Sequence, residues 1–197
     1  MREPRTENRP HATSAQDVPS SKKTPRRRLF FALWPTQAEQ QRLAAEFGAR
    51  IAASRGRAIP PANLHVTLAF LGGVEEARFA AVTRSAATVA AEPVTLSFDQ
   101  LEIWPRAHVL CLTARTPVPL ARLVEGLRFN LLNEQFEIRS EEEHRPHVTL
   151  ARDVKGRGVR EPIAPIAWRF EDFALVQSRP KPSGSQYEVI ERWPLAR

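Results

Sequence analysis

The sequence is poor in the residues that build several common kinds of site. A single cysteine, Cys111, stands among 197 residues, which excludes an internal disulfide framework and a cysteine-rich zinc module. No uninterrupted apolar run approaches the roughly 18 residues that a transmembrane helix needs. The chain has only eight glycines and lacks a glycine-rich phosphate loop of the P-loop or dinucleotide-binding type. These absences leave a globular protein whose chemistry depends on other residues.

The positive charge is concentrated near the beginning of the chain. Residues 1–28 hold eight Lys/Arg against three Asp/Glu and so carry most of the formal net charge of +7. This segment has no apolar periodicity, so it cannot bury enough surface to offset its ordering entropy. We predict a disordered basic tail over residues 1–27 and a single bilobal domain over residues 28–197. The basic residues of the tail either contact RNA phosphates or form a solvated tether.

The order of the elements along the rest of the chain predicts an α+β fold. Residues 29–34 form a continuous apolar run ended by Pro35, which is typical of a buried strand. Thr36 and Glu39 form the T-x-x-E pattern of a capping box, which predicts a helix running to about residue 54. Long strand patterns that follow one another directly favour antiparallel sheets over a doubly wound parallel sheet.

The tetrapeptide His-Val-Thr-Leu occurs twice, at residues 65–68 and 147–150, and an alanine follows it both times. Alternation along a strand places the histidine and threonine on one face and the valine and leucine on the other. Each copy therefore anchors apolar side chains in a core and presents an imidazole beside a hydroxyl. If the two strands lie side by side, two imidazoles and two hydroxyls meet in one cleft.

Such a cleft suits in-line displacement at phosphorus. One imidazole removes a proton from the attacking hydroxyl or water, and the other protonates the leaving oxygen. Histidine fits both tasks because its ordinary pKa of about 6.5 leaves both forms available near neutrality. We predict His65 and His147 as the catalytic pair, with Thr67 and Thr149 donating hydrogen bonds to the non-bridging phosphate oxygens. This chemistry requires neither a metal ion nor a cofactor.

The motif histidines have two other interpretations. A lone histidine at a strand end is commonly a polar residue satisfied by a neighbouring carbonyl, but duplication of the whole motif argues against that here. His144 and His147 also form an H-x-x-H pattern that suggests a metal site. On an extended segment this spacing places the two rings on opposite faces, so we predict no metal site.

The motif pair resembles that of the 2H phosphoesterase superfamily, which carries two H-x-[ST]-x motifs on pseudo-symmetric lobes. Within it, the sequence is similar to the bacterial and archaeal RNA 2',3'-cyclic phosphodiesterases, also called 2'-5' RNA ligases. The likeness spans about residues 28–193. It is carried by residues 28–35 (RLFFALWP), 64–72 (LHVTLAFLG) and 145–152 (RPHVTLAR).

The resemblance implies a fold, an activity and residue roles. The fold has two antiparallel sheets that form a central cleft with helices packed outside. The activity is hydrolysis of a terminal 2',3'-cyclic phosphate to a 2'-phosphomonoester, with His65 as the acid for the departing 3'-oxygen and His147 activating water. Arg152 would contact the phosphate and Phe70 would line the nucleoside pocket. Both stand five residues after a histidine, on the opposite face of a regular strand, so these roles require a bulge or a strand end.

The resemblance also implies partners and leaves alternatives open. We expect a cytoplasmic monomer that acts on RNA ends bearing a 2',3'-cyclic phosphate, with tRNA halves among the candidate substrates, and that binds no membrane. The chemical alternatives are 2'-5' RNA ligation and hydrolysis of nucleotide-sized cyclic phosphates. An alternative of another class is a non-catalytic RNA-binding module.

Overall fold

A computed structural model describes residues 25–138, 144–182 and 184–196 of the chain. Its strands are β1 (Arg26–Leu33), β2 (Arg57–Ala58), β3 (Val66–Glu75), β4 (Val94–Trp104), β5 (Val109–Ala114), β6 (His147–Arg152), β7 (Val159–Phe170), β8 (Asp172–Lys181) and β9 (Gly184–Pro194). Its α-helices are α1 (Gln37–Glu46), α2 (Gly48–Ala53), α3 (Phe79–Ala87) and α4 (Val118–Asn133). No helix of this described part is long and apolar enough to cross a membrane.

The strands form one antiparallel sheet in which the two motif strands are central. The order is β7-β4-β5-β6-β3-β1-β8-β9, and the short β2 pairs with β6 outside this path. The sheet consists of two four-stranded halves, which meet where Val66 of β3 pairs with Val148 of β6. The predicted α+β class is confirmed, and the two expected sheets correspond to these halves, joined into one sheet at that pair.

The hydrophobic core covers the face of the sheet opposite to the motif histidines. Val66 and Val148 are fully buried in the main core, which includes leucines of α1 and α4. Because successive side chains of a strand alternate between faces, His65 and His147 lie on the other face. A smaller cluster on that face contains Phe30 and partly buried aromatic side chains. The helices therefore pack mainly behind the sheet, and Val124 and Arg128 of α4 reach the cavity beside His147.

The first strand begins before the predicted start of the ordered domain. Arg26 forms an ion pair with Glu75 at 2.8 Å, and Arg27 forms one with Glu76. Cross-strand pairing with β3 therefore includes these two arginines, which the sequence assigned to the tail. The predicted tail otherwise lies outside the described residues, apart from Pro25.

The first helix begins as predicted and ends earlier. The backbone amide of Glu39 donates to Thr36 Oγ1, and the amide of Thr36 donates to the Glu39 carboxylate, which completes the capping box. The single helix expected up to residue 54 is instead interrupted at the buried Phe47, whose ψ of 6° departs from helical geometry. The glycine that follows, Gly48, has low helix propensity and begins α2.

Candidate active site

Strand pairing brings the two motifs to one place in the sheet. Val66 and Val148 are paired across β3 and β6, and the pairing is antiparallel. Each motif histidine therefore lies across from the other motif's threonine, and all four side chains share one face. His65 and His147 are diagonal neighbours, a placement that separates Cα atoms by roughly 7–8 Å and Cβ atoms by somewhat less. This arrangement agrees with the predicted convergence of two imidazoles and two hydroxyls.

A β-bulge follows the histidine of the second motif. Thr149 pairs with Cys111 and Ala151 pairs with Leu110, so Leu150 is an extra residue in β6. The bulge shifts the alternation of the strand by one residue. Arg152 consequently lies on the same face as the motif histidine. The bulge that the predicted role of Arg152 required is thus present.

The first motif has a bulge at the equivalent residue. Thr67 pairs with Ala32 and Ala69 pairs with Phe31, so Leu68 is the extra residue in β3. Phe70 is thereby moved to the histidine face, where it lines cavities with both motif histidines. The two motifs are alike in strand geometry as well as in sequence. Nothing in the residue types predicts the position of either bulge.

Both histidines are oriented by a backbone carbonyl two residues earlier. His65 Nδ1 donates to the carbonyl of Asn63 at 2.6 Å, and His147 Nδ1 donates to the carbonyl of Arg145 at 2.8 Å. Because a carbonyl can only accept, Nδ1 carries the hydrogen in both rings. Nε2 is then the nitrogen that exchanges protons. In His65 it lies 3.1 Å from Thr67 Oγ1, which donates to it when the ring is neutral.

A buried glutamine of α1 holds the loop before the first motif. Gln40 is only 4% exposed, and its side-chain amide donates to the carbonyls of Leu64 and Ala62. These bonds fix the turn that places Asn63 beside His65. Sequence reasoning missed Gln40, Asn63 and Arg145, because the groups that orient the histidines are carbonyls and leave no signature in residue type.

His65 lies among aromatic rings. Trp34 stacks on the imidazole at 5.3 Å between ring centroids and 13° between planes, while Phe30 and Tyr187 approach at 5.0 and 5.4 Å. Burial, and to a smaller extent the charges of His147 and Arg152, lower the pKa of His65 to about 4, against the raising effect of the Asn63 carbonyl. In the absence of substrate, His65 is therefore neutral at physiological pH.

His147 has a different environment. The centroid of its ring lies 4.7 Å from that of Trp104. The guanidinium of Arg145 lies over the Trp104 ring, 5.1 Å from its centroid. The carbonyl of the same Arg145 binds His147 Nδ1. One arginine and one tryptophan therefore determine both the tautomer and the tilt of the second histidine.

A buried carboxylate stands behind this second environment. Glu102 is 6% exposed, and it accepts hydrogen bonds from Trp104 Nε1 at 2.7 Å, Thr113 Oγ1 at 2.9 Å and Arg145 Nη2 at 3.0 Å. Burial by itself would raise the pKa of this carboxyl, but the hydrogen bonds and the Arg145 guanidinium hold it below its ordinary value. Glu102 is thus ionised and fully hydrogen-bonded, and sequence reasoning did not single it out.

Cavities flank the motif strands on both sides. The first, of about 320 Å³, is polar and is lined by Arg28, Phe30, His65, Thr67, Phe70, Arg152, Ser178, Ser185 and Tyr187. The second, of about 270 Å³, is more apolar and is lined by Thr67, Leu68, Ala69, Phe70, Val124, Arg128, Ile138, His144, Arg145 and His147. Thr67 and Phe70 line both cavities, so each histidine faces its own half of a shared groove.

The remaining predicted site residues have distinct positions. Thr149 lies on the histidine face by alternation with His147 but does not line either of these two cavities. Among the described residues, no carboxylate forms an ion pair with Arg152. The neighbouring Asp153 pairs with Arg57 at 3.1 Å. The other interpretation of Arg152 is a surface ion pair with Asp153 or Glu143, and Glu143 lies outside the described residues.

His144 binds the first motif rather than a metal site. Its Nε2 donates to the carbonyl of Thr67 at 2.8 Å, and its buried Nδ1 has no hydrogen-bond partner among the described residues. Over residues 25–138, 144–182 and 184–196, no group of three His, Cys, Asp or Glu side chains is placed to hold a metal ion.

Comparison with known proteins relates this geometry to a family. The family model described as LigT like Phosphoesterase matches residues 33–111. The RNA 2',3'-cyclic phosphodiesterase of Thermus thermophilus is 32% identical over 184 residues, which cover 85% of this chain and 90% of that protein. The RNA 2',3'-cyclic phosphodiesterase of Escherichia coli is 29% identical over 171 residues, covering 85% of this chain and 96% of that protein.

Solved structures agree with the sequence relatives. The crystal structure of Escherichia coli LigT complexed with 3'-AMP superposes with a TM-score of 0.79 at 27% identity, covering 87% of this chain and 99% of that one. The crystal structure of TT0787 of Thermus thermophilus superposes with a TM-score of 0.72 at 26% identity, covering 85% and 97%. With its paired motifs on adjacent central strands, the chain belongs to the LigT-like phosphoesterases, the RNA 2',3'-cyclic phosphodiesterase family of the 2H phosphoesterase superfamily.

Proposed function

We propose that the chain hydrolyses the terminal 2',3'-cyclic phosphate of an RNA to a 2'-phosphomonoester. The observation that carries this proposal is the diagonal placement of His65 and His147 on one face of paired strands, each with Nδ1 bonded to a carbonyl. Two proton-exchanging nitrogens then face one groove, as in-line displacement at phosphorus requires. The curated relatives named RNA 2',3'-cyclic phosphodiesterase support the substrate class.

The two histidines have complementary tasks in this proposal. His147 takes a proton from water as the water oxygen forms a bond to phosphorus. The bond from phosphorus to the 3'-oxygen breaks, and His65 gives that oxygen its proton. Thr67 and Thr149 donate hydrogen bonds to the non-bridging oxygens, where negative charge accumulates. The products are a 3'-hydroxyl and a 2'-phosphomonoester.

For His65 to act as the acid, binding of the substrate must change the protonation state of the His65 ring. Burial is the main cause that lowers the pKa of His65 to about 4. A cyclic phosphate is an anion, and an opposite charge within about 4–6 Å favours the charged form of an imidazole. Binding of the phosphate beside Arg152 and His65 therefore raises the pKa of His65 and couples loading of the acid to the presence of substrate.

The groove also has features that suit the nucleoside and the phosphate. Arg152 is exposed on the histidine face and supplies a guanidinium for the phosphate oxygens. Phe70 lines both cavities and provides a ring against which a base can stack. We propose that residues 28–197 act as one monomeric catalytic domain in the cytoplasm and that tRNA halves are among its substrates.

The same site can exchange the attacking group. If the 5'-hydroxyl of a second RNA replaces water, identical proton transfers form a 2'-5' phosphodiester. The two cavities that meet at Thr67 and Phe70 favour this second activity, because they offer space on both sides of the reacting phosphate. Ligation is therefore the second candidate function. A nucleotide-sized cyclic phosphate offered without a second RNA is the simplest control, because it can only be hydrolysed.

One experiment tests the proposal directly. The full chain is incubated with an oligonucleotide ending in a 2',3'-cyclic phosphate, in the presence of EDTA, and the phosphate position of the product is identified. We expect a 2'-phosphate end with the wild-type chain, and loss of turnover in His65→Ala and in His147→Ala. Retained turnover in both variants, or tight RNA binding by the wild-type chain without turnover, would overturn the proposal.

A further inference from the structure

We propose that a third cavity, lined by Arg115, Arg145 and Arg160, binds a backbone phosphate of the RNA chain that precedes the terminal cyclic phosphate. This subsite rests on the proposed function, since it extends the same RNA path beyond the reacting nucleotide. The cavity has a volume of about 310 Å³, and its other lining residues are Asp99, Gln100, Thr113, Ala114 and Thr116.

Shared lining residues connect this arginine cavity to the active site. Arg145 lines both the arginine cavity and the more apolar cavity beside His147. Thr113, which also lines the arginine cavity, pairs with His147 across β5 and β6. Paired residues of antiparallel strands have Cα atoms about 4.5–5.5 Å apart, so the cavity begins next to the second histidine. One groove thus extends from His65 past His147 to the arginines.

The buried carboxylate Glu102 organises the cations of this cavity. It accepts two hydrogen bonds from Arg145 Nη2, at 3.0 and 3.2 Å, and lies 3.7 Å from Arg160 Nε. The arginine side chains themselves are 50% and 70% exposed, so the guanidiniums are anchored from below while other donors face solvent. An anchored guanidinium loses less conformational freedom when it binds an anion.

The charge of the cavity favours a phosphodiester over a cation. Three guanidiniums surround it, against the carboxylates of Glu102 below and Asp99 in the wall. Arginine suits phosphate because its planar donors match two oxygens at once. A singly charged phosphodiester adjacent to a reacting RNA end fits this modest positive excess, and its contacts carry no information about base sequence.

The test compares substrates that differ only in chain length. A nucleoside 2',3'-cyclic phosphate is set against a trinucleotide ending in the same cyclic phosphate, using the double variant Arg115→Ala/Arg160→Ala. We expect KM for the trinucleotide to rise about 10-fold, while kcat/KM for the nucleoside substrate stays unchanged, which also shows that the variant is folded. The slope of log kcat/KM against log salt for the trinucleotide should decrease by about 1 to 2.

A matched control removes two arginines from the helical side. Arg84 and Arg122, on α3 and α4, form exposed ion pairs with Glu134 and Glu92. The variant Arg84→Ala/Arg122→Ala should leave KM and kcat/KM unchanged for both substrates. Equal effects of the cavity variant on both substrates, or an effect on neither, would overturn the subsite.

A binding measurement separates this proposal from the proposed function. Fluorescence anisotropy with a labelled trinucleotide ending in a 2'-phosphate needs no turnover. Weaker binding by the cavity variant than by the helical-side control supports the subsite even if the wild-type chain hydrolyses no cyclic phosphate. Identical binding by both variants would overturn it even if hydrolysis is observed.

Discussion

The two copies of the His-Val-Thr-Leu motif share their backbone geometry and differ in their surroundings. In both, a carbonyl two residues earlier binds the histidine Nδ1, and the motif leucine is a bulged residue. His65 is stacked against Trp34 in an aromatic cluster, whereas His147 lies beside Trp104 and the Glu102-anchored Arg145. A repeated sequence thus produces equivalent orientation, while the neighbouring residues give the two rings different environments.

This difference in surroundings is the source that we propose for the different catalytic tasks of the two histidines. Burial among aromatic rings disfavours the imidazolium of His65, and we propose that binding of the anionic phosphate reverses that preference. His147 instead has a polar scaffold in which Glu102 accepts hydrogen bonds from Thr113 and Trp104. Changing one environment at a time should therefore affect one histidine at a time.

The largest effect is expected from removing either histidine. His65→Ala and His147→Ala should each lower kcat by about 10²- to 10⁴-fold, the usual contribution of general acid–base catalysis. Because the two act in one transition state, the double variant should lose much less than the product of the two factors. Steady-state rates on one cyclic phosphate measure this. A multiplicative double loss would indicate that the histidines act independently.

A smaller effect is expected at the threonine beside His65. Thr67→Val removes the hydroxyl that binds His65 Nε2 and, in the proposed mechanism, a non-bridging phosphate oxygen, so kcat should fall about 100-fold, the lower end of the cost of losing one oxyanion donor. Thr67→Ser keeps the hydroxyl and should retain most of the activity. Thr149→Val makes the corresponding substitution in the second motif, and its kcat is compared with that of Thr67→Val. A serine variant as inactive as the valine variant would contradict a hydrogen-bonding role.

The aromatic cluster should set the pKa of one histidine only. Trp34→Ala uncovers a face of His65, so the pKa of this ring should rise from about 4 towards 6.5. NMR titration of the imidazole protons measures the shift. Trp104→Ala is the control, since that ring contacts His147 and should leave the titration of His65 unchanged. An unmoved pKa in the Trp34 variant would contradict burial as the cause.

The smallest effect concerns stability at low pH. The unfolded chain takes up a proton on His65 below about pH 6.5, whereas the folded chain resists until about pH 4, so folding stability falls as pH drops through this window. Because His65 is partly exposed to solvent, about 2 kcal/mol is an upper bound for the free energy of unfolding that is lost between pH 7 and pH 5. Urea unfolding of wild type and His65→Gln at both pH values measures it. An equal loss in the variant would exclude His65 as the source.

The sequence predicts the local parts of this account better than its tertiary parts. The capping box at Thr36 is confirmed, because it depends on residues close in sequence. The catalytic pair indicated by the duplicated motif stays a prediction. The adjacency of β3 and β6 requires pairing across more than 80 residues, which periodicity does not encode. Glu102 and Gln40 belong to no sequence motif. Their roles depend on hydrogen bonds to a residue of a neighbouring strand and to a backbone carbonyl, respectively.

Division of proton transfer between the motifs is tested most directly by changing the leaving atom. A cyclic substrate with sulfur in place of the bridging 3'-oxygen expels a thiolate, which needs no general acid. We predict that the rate of His65→Ala, expressed relative to the wild-type rate, is at least about 10-fold higher on the sulfur substrate than on the oxygen substrate. The relative rate of His147→Ala should not rise. Equal recovery of both variants, or recovery of neither, would contradict the division; recovery of His147→Ala alone would contradict the assignment of His65 as acid.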